Sequence, residues 1–157
     1  MQPRLVEPSG ALILDERYGR TLKLVEVDPE GNPYPGFGEE GVAKVRLPAV
    51  VGLHLEPAAV DTKGRILLAG FVGSPISVPE KGQPRSSFVL ARLLPDGRPD
   101  PSFGRHGWLF THLPGKRELI STQATLDPKG RLLIGGMVTK PHHHNGAFTV
   151  ARYLLGS

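Results

Sequence analysis

The densest metal-ligating chemistry in the sequence is the run His142-His143-His144. Imidazole nitrogens bind transition metals, and a histidine tract is a compositional pointer to such binding. A working site also needs ligands that converge and partners that orient them. No carboxylate or further histidine stands close in sequence, and Lys140, Pro141, Asn145 and Gly146 surround the run as loop residues. A solvated loop is therefore favoured over a metal centre. His142, His143 and His144 stay candidates for metal ligation without making an assigned site.

Gly36-Phe37-Gly38-Glu39-Glu40-Gly41 spells the glycine pattern of dinucleotide-binding loops. That pattern works between a strand and a helix, where the helix N-terminus meets the pyrophosphate. Here it follows Asn32-Pro33-Tyr34-Pro35 and runs into Val42-Ala43-Lys44-Val45, which reads as a strand. It is expected to be a turn, and no cofactor is expected. The carboxylates Asp28, Asp61, Asp96, Asp100 and Asp127 sit mostly at turns. A hydrolase needs two of them to converge with shifted pKa values, whereas hairpin geometry accounts for aspartates that return once per unit. No D-x-[DN]-x-[DN]-G calcium loop and no G-x-S-x-G nucleophile motif occurs. Arg92 and Arg152 recur at matching places, which favours a structural ion pair or a hydrogen bond to a turn over an anion contact. The expectation is that the chain is not an enzyme.

The elements that carry these residues are set by internal repetition, the first thing to look for in a chain of this kind. Val60-Asp61-Thr62-Lys63-Gly64-Arg65-Ile66-Leu67-Leu68-Ala69-Gly70 returns further along as Leu126-Asp127-Pro128-Lys129-Gly130-Arg131-Leu132-Leu133-Ile134-Gly135-Gly136. A weaker, earlier copy runs from Val6 to Leu14, with Gly10 in the place of Gly64. Phe88-Val89-Leu90-Ala91-Arg92 matches Phe148-Thr149-Val150-Ala151-Arg152 and, more loosely, Leu22-Lys23-Leu24-Val25-Glu26. Pro35-Gly36-Phe37-Gly38-Glu39-Glu40-Gly41 matches Pro101-Ser102-Phe103-Gly104-Arg105-His106-Gly107. Three motifs returning in one order make this a repeat protein.

Asp61-Thr62-Lys63-Gly64 and Asp127-Pro128-Lys129-Gly130 are turn sequences between apolar runs, hence hairpins. Ile66–Ala69 and Leu132–Ile134 are apolar without alternation, which predicts strands buried on both faces. In the next strand Phe88 and Leu90 point one way, and Val89, Ala91 and Leu93 the other. A small sheet buried on both faces must lie between neighbouring sheets, and stacking four-stranded blades around an axis is the propeller solution. Predicted strands are 3–7, 11–15 and 20–27 in a first unit, with 42–47, 55–61, 65–70 and 87–94 in a second. The third unit has 108–112, 122–127, 131–136 and 147–153. No stretch carries helical periodicity, so the fold class is all-β, with tandem four-stranded antiparallel blades of the β-propeller type. The single repeat domain 1–157 divides into a partial, degenerate blade at 1–36 and full blades at 37–102 and 103–157.

Ala59 to Gly70, then Phe88 to Arg92, then Asp96-Gly97-Arg98-Pro99-Asp100-Pro101-Ser102-Phe103-Gly104 closely resemble the bacterial delta-60 repeat, a β-propeller-like family. The resemblance covers about residues 5 to 153 and is best in the middle unit. It implies a fold and a scaffold role, often surface-associated, and no reaction. Tyr34 stands where Asp100 would be matched and Glu26 where Arg92 would be, so the first unit departs from the pattern as a terminal capping repeat does. About two and three-quarter blades cannot close a ring that takes about 4–8. Several copies assembling, a fragment of a longer array, or an open stack are the alternatives, and self-association is expected.

Composition agrees with many short strands and turns. The 157 residues hold 20 glycines and 16 prolines, where average usage gives about 11 and 8. There are no cysteines, so no disulfide framework, thiolate nucleophile or cysteine-bound zinc. No apolar run is long enough to span a membrane and no signal-peptide core is present. That places a complete chain in the cytoplasm and a fragment of a longer array outside the cell or on its surface. Residues 1–78 carry 8 Lys/Arg against 10 Asp/Glu, a net −2, and residues 79–157 carry 11 against 5, a net +6. An ordinary solvated surface is favoured over an anionic partner, and aromatics are too scattered for a nucleic-acid groove. The path from turn glycine to last strand is shortest in the first unit (Gly10 to Leu22), longest in the second (Gly64 to Phe88) and intermediate in the third (Gly130 to Phe148). The extra length lies in loops 71–87 and 137–147, so Lys81, Arg85, Lys140, His142, His143 and His144 are the candidate partner-binding residues. The expected function is a structural and interaction module that binds itself or another protein. The alternative is a metal- or anion-binding module using the basic second half and His142–His144.

Overall fold

The computed structural model describes residues 2–6, 12–50, 52–73, 86–113, 118–139 and 146–156. Among them are eleven strands and no helix, arranged as three antiparallel sheets. The first sheet holds β1 (Gln2–Val6), β2 (Leu12–Tyr18), β3 (Thr21–Val27) and β4 (Val42–Arg46), in that order. The second holds β5 (Leu53–Val60), β6 (Ile66–Val72), β7 (Ser87–Leu93) and β8 (Trp108–His112). The third holds β9 (Glu118–Leu126), β10 (Leu132–Thr139) and β11 (Ala147–Tyr153). Each predicted strand has an observed counterpart with ends close to those expected, the largest displacement being the earlier start of β9.

The hairpin turns form for the reason their sequences give. Asp61 accepts hydrogen bonds from the Lys63 amide at 2.9 Å, the Arg65 amide at 3.0 Å and Arg65 Nε at 2.6 Å. Asp127 accepts the same three, from Lys129, Arg131 and Arg131 Nε, at the same distances. Gly64 and Gly130 follow with φ of 72° and 69°, a left-handed conformation that glycine adopts without steric cost. The carboxylate thus closes the turn from within and fixes the register of β5 on β6 and of β9 on β10.

The central strands of the second sheet, β6 and β7, are buried on both faces. Ile66, Leu68, Val89, Ala91 and Leu93 pack against Ile13, Leu22, Leu24 and Val45 of the first sheet. Leu67, Phe88 and Leu90 pack against Leu119, Leu132 and Ile134 of the third. Every residue of β7 is buried, and each of Phe88, Val89 and Leu90 withdrawn from water contributes about 1.5–3 kcal/mol. The approaches between sheets run through their first and second strands. β5 meets β1 and β2 on one side, and β5 and β6 meet β9 on the other.

Two expectations need correction. The sheets are offset by one strand from the sequence units: β4 pairs with β3 and β8 with β7. The Phe-Gly-x-x-Gly link is a tight turn that returns the chain to the sheet it has just left. Glu39 N donates to Val42 O at 2.9 Å, and Arg105 N to Trp108 O at 2.7 Å. The first sheet consequently has four strands, and the third has three among the described residues. Second, both-face burial holds for β6 and β7 of the middle sheet and fails for the third. In β10 fully buried residues alternate with half-exposed ones, and β11 is open along much of its length. An apolar strand is buried twice only where a second sheet covers it, and local sequence does not report that neighbour.

Candidate interaction surface

The third sheet turns Leu132, Ile134, Val138, Ala151 and Tyr153 toward the second sheet. Alternation along the strands sends Leu133, Met137, Phe148, Val150 and Arg152 to the other face. On that face Phe148 is 88% and Val150 71% exposed, whereas Phe88 and Leu90, their counterparts in the preceding unit, are each 1% exposed. The registers correspond. Phe88 faces Phe71 and Leu90 faces Ala69 across β6, as Phe148 faces Met137 and Val150 faces Gly135 across β10. The two faces share geometry and residue type, and they differ in having a cover. The third sheet lies over Phe88, and among the described residues nothing lies over Phe148.

The edge of β11 adds to this surface. β3 and β7 each carry a fourth strand on the side away from the hairpin, while β11 has β10 as its one neighbour among the described residues. Backbone donors and acceptors along such an edge invite pairing with another chain.

The opposite end of the stack is chemically different. Lys23 stands where Val89 is buried, Glu16 where Gly70 is, and Lys44 where Phe110 packs against the core. Glu16 and Lys23 form an ion pair at 3.6 Å on this outer face of the first sheet, and Lys44 and Arg46 are exposed beside it. One terminal face is therefore densely charged, and the other centres on Phe148 and Val150 with Gln123, Thr125 and Arg152 at its margins.

Arg92, read from sequence as a structural residue, is one. Its Nε donates to Asp100 Oδ2 at 2.7 Å, its other nitrogens to Ser102 Oγ and the Leu155 carbonyl, and its guanidinium lies 4.7 Å from the Phe103 ring centroid. Burial pushes the Asp100 carboxyl up, but the Ser102 hydroxyl and amide and the Arg92 guanidinium together hold it below the usual carboxylate value. Arg152, its counterpart in β11, is exposed. At the turns, the Arg131 side chain is the main cause holding Asp127 at about 2. At Asp61 burial raises the pKa, and the hydrogen bonds from Arg65 and Lys63 more than offset it.

An open cleft of about 750 Å³ lies between the second and third sheets near their first strands, lined by His54, Glu56, Phe71, Thr122 and Gln123 among others. His54 stacks on Phe71 with ring centroids 4.7 Å apart. No group of three or more His, Asp or Glu is gathered for a metal among the described residues. Gly36 to Gly41 is a turn feeding β4, with Gly38 at φ 60° and Gly41 at φ 84°. Lys81, Arg85, Lys140, His142, His143 and His144 lie outside the described residues. Sequence reasoning missed the Phe148–Val150 face, because its motif is the same one that is buried in the middle sheet. Comparison with family models, with characterised proteins and with solved structures finds no match.

Proposed function

We propose that the chain is a non-enzymatic structural and interaction module of propeller-type repeats, of the delta-60 kind, and that it self-associates. The observation that carries this reading is the exposure of Phe148 and Val150 in the positions of buried Phe88 and Leu90. An apolar sheet face open to water marks an association surface. The approach of β5 to β1 and β2, and of β9 to β5 and β6, supports treating the sheets as blades that fan from a common axis. The state of the carboxylates supports a scaffold over an enzyme. Asp61, Asp96, Asp100 and Asp127 are each tied to an arginine and held below their ordinary pKa, the wrong direction for a general acid or base near neutrality.

Absolute mass by light scattering behind size exclusion, over a range of concentrations, tests the reading. A mass that rises above the 16.9 kDa chain is the expected result. One chain mass at every concentration overturns it.

A further inference from the structure

We infer that the self-association is symmetric, third sheet against third sheet of a second copy, and stops at two chains. The inference rests on the self-associating reading above and adds the partner face and the stoichiometry. The chain itself shows what covers a face of this kind. Leu67, Phe88 and Leu90 are sealed by an antiparallel sheet presenting leucine, isoleucine and alanine. A second copy has two terminal faces to offer in that role.

The outer face of the first sheet does not suit it. Packing it on Phe148 and Val150 would bury the Glu16–Lys23 pair and bring Lys44 and Arg46 against a face that already carries Arg152. Taking ion pairs out of water costs more than their attraction returns unless further hydrogen bonds complete them, and Lys44 is itself paired with Glu39 at 3.5 Å. Tyr18, 81% exposed, stands where Val72 is 3% exposed, so shape differs as well as charge. Head-to-tail growth is thereby opposed.

On the outer face of the third sheet the described residues include Leu133, Met137, Phe148 and Val150, with Gln123, Thr125 and Arg152 beside them, so a second copy brings one like charge, Arg152, and no ion pair to bury among these residues. A two-fold contact sets the same residues on both sides and closes after two subunits. Three strands of nine, eight and seven residues present roughly 380 Å² of flat footprint per copy, small beside the ~800 Å² per partner of a stable complex. The dimer is therefore expected to dissociate on dilution.

The experiment compares the whole chain with Phe148→Glu, Val150→Asp and Lys44→Glu by light scattering across a concentration series, with a thermal melt of each. Phe148 and Val150 are exposed, so both variants are expected to melt as the parent does when dilute. The expected result is a parent mass that climbs to twice 16.9 kDa and levels there, unchanged by Lys44→Glu. Each third-sheet variant is expected to stay at one chain mass at the same concentration. Growth past two chains, or an oligomer indifferent to both third-sheet variants, overturns the symmetric pairing and leaves self-association standing. A parent that stays at one chain mass throughout overturns both.

Discussion

Arg92 Nε and Asp100 Oδ2 lie 2.7 Å apart, with the two side chains 4% and 6% exposed, at the junction between the second sheet and the segment that follows β11. The same guanidinium donates to the Leu155 carbonyl, far along the chain. One cation thus ties the Asp100-Pro101-Ser102-Phe103 turn to the end of the third sheet. A buried pair is weak grounds for stability as a whole, because desolvation offsets much of the attraction, but removing one partner strands the other.

Asp100→Asn isolates that charge. Asparagine keeps an oxygen for the Ser102 amide, which Asp100 Oδ1 accepts at 2.9 Å, and withdraws the counter-ion from Arg92. The variant is expected to lose about 3 kcal/mol, read from urea unfolding at neutral pH. A loss below about 1 kcal/mol would mean that water reaches Arg92 and that the junction is looser than the geometry shows.

Asp127 gives the fold an acid limit. Its folded-state pKa is depressed from 3.8 to about 2, first through the Arg131 side chain and then the Arg131 amide. A depressed carboxylate stabilises the folded state above its unfolded pKa, and the contribution is lost as pH falls through the folded value. Asp61 and Asp100 are shifted in the same direction. The urea midpoint is expected to be level between about pH 7 and 5 and to fall between about pH 4 and 2. Asp127→Asn should be less stable than the parent at neutral pH, with the gap closing in acid. A gap of constant size across that range would remove the Arg131 pairing as its cause.

The strands and turns were legible because their causes are local. Asp61 and Gly64, or Asp127 and Gly130, determine a hairpin within a single turn, and the apolar character of both Phe88 and Val89 announces that both faces of β7 are buried. Pairing across the Phe-Gly-x-x-Gly link was not legible, since whether β4 joins β3 or β5 depends on how sharply the link turns back. The surface was least legible of all. Phe148-Thr149-Val150-Ala151-Arg152 carries the letters of a buried strand, and its exposure follows from the absence of a covering sheet among the described residues. The charges that set the other end apart, Glu16, Lys23 and Lys44, are readable only against Gly70, Val89 and Phe110 in the middle sheet.

The link itself is testable at Gly104. Its φ is 54°, and a Cβ there would fall within contact distance of the Trp108 carbonyl, backbone that cannot swing away. His106, just beyond it, already holds φ 53° without being glycine. Gly104→Ala is expected to cost more than the roughly 1 kcal/mol of a left-handed alanine, because the return of β8 to β7 must also shift. Protection of the Trp108–His112 amides in hydrogen exchange should fall with it. Unchanged protection alongside unchanged stability would show that the turn has room for a side chain.

The sharpest check on the architecture sets two phenylalanines of one motif against each other. Phe88 and Phe148 occupy the same place in β7 and β11 and face their neighbours in the same register. They differ in that one is 1% and the other 88% exposed. Phe88→Ala opens a cavity between two sheets and is expected to cost about 3–5 kcal/mol. Phe148→Ala, measured on dilute protein where no partner copy is bound, should lie within about 0.5 kcal/mol of the parent. Equal losses would place a cover on the third sheet within the chain itself. At high concentration the contrast should narrow, as Phe148 gains in a second copy the kind of neighbour that Phe88 has in its own chain.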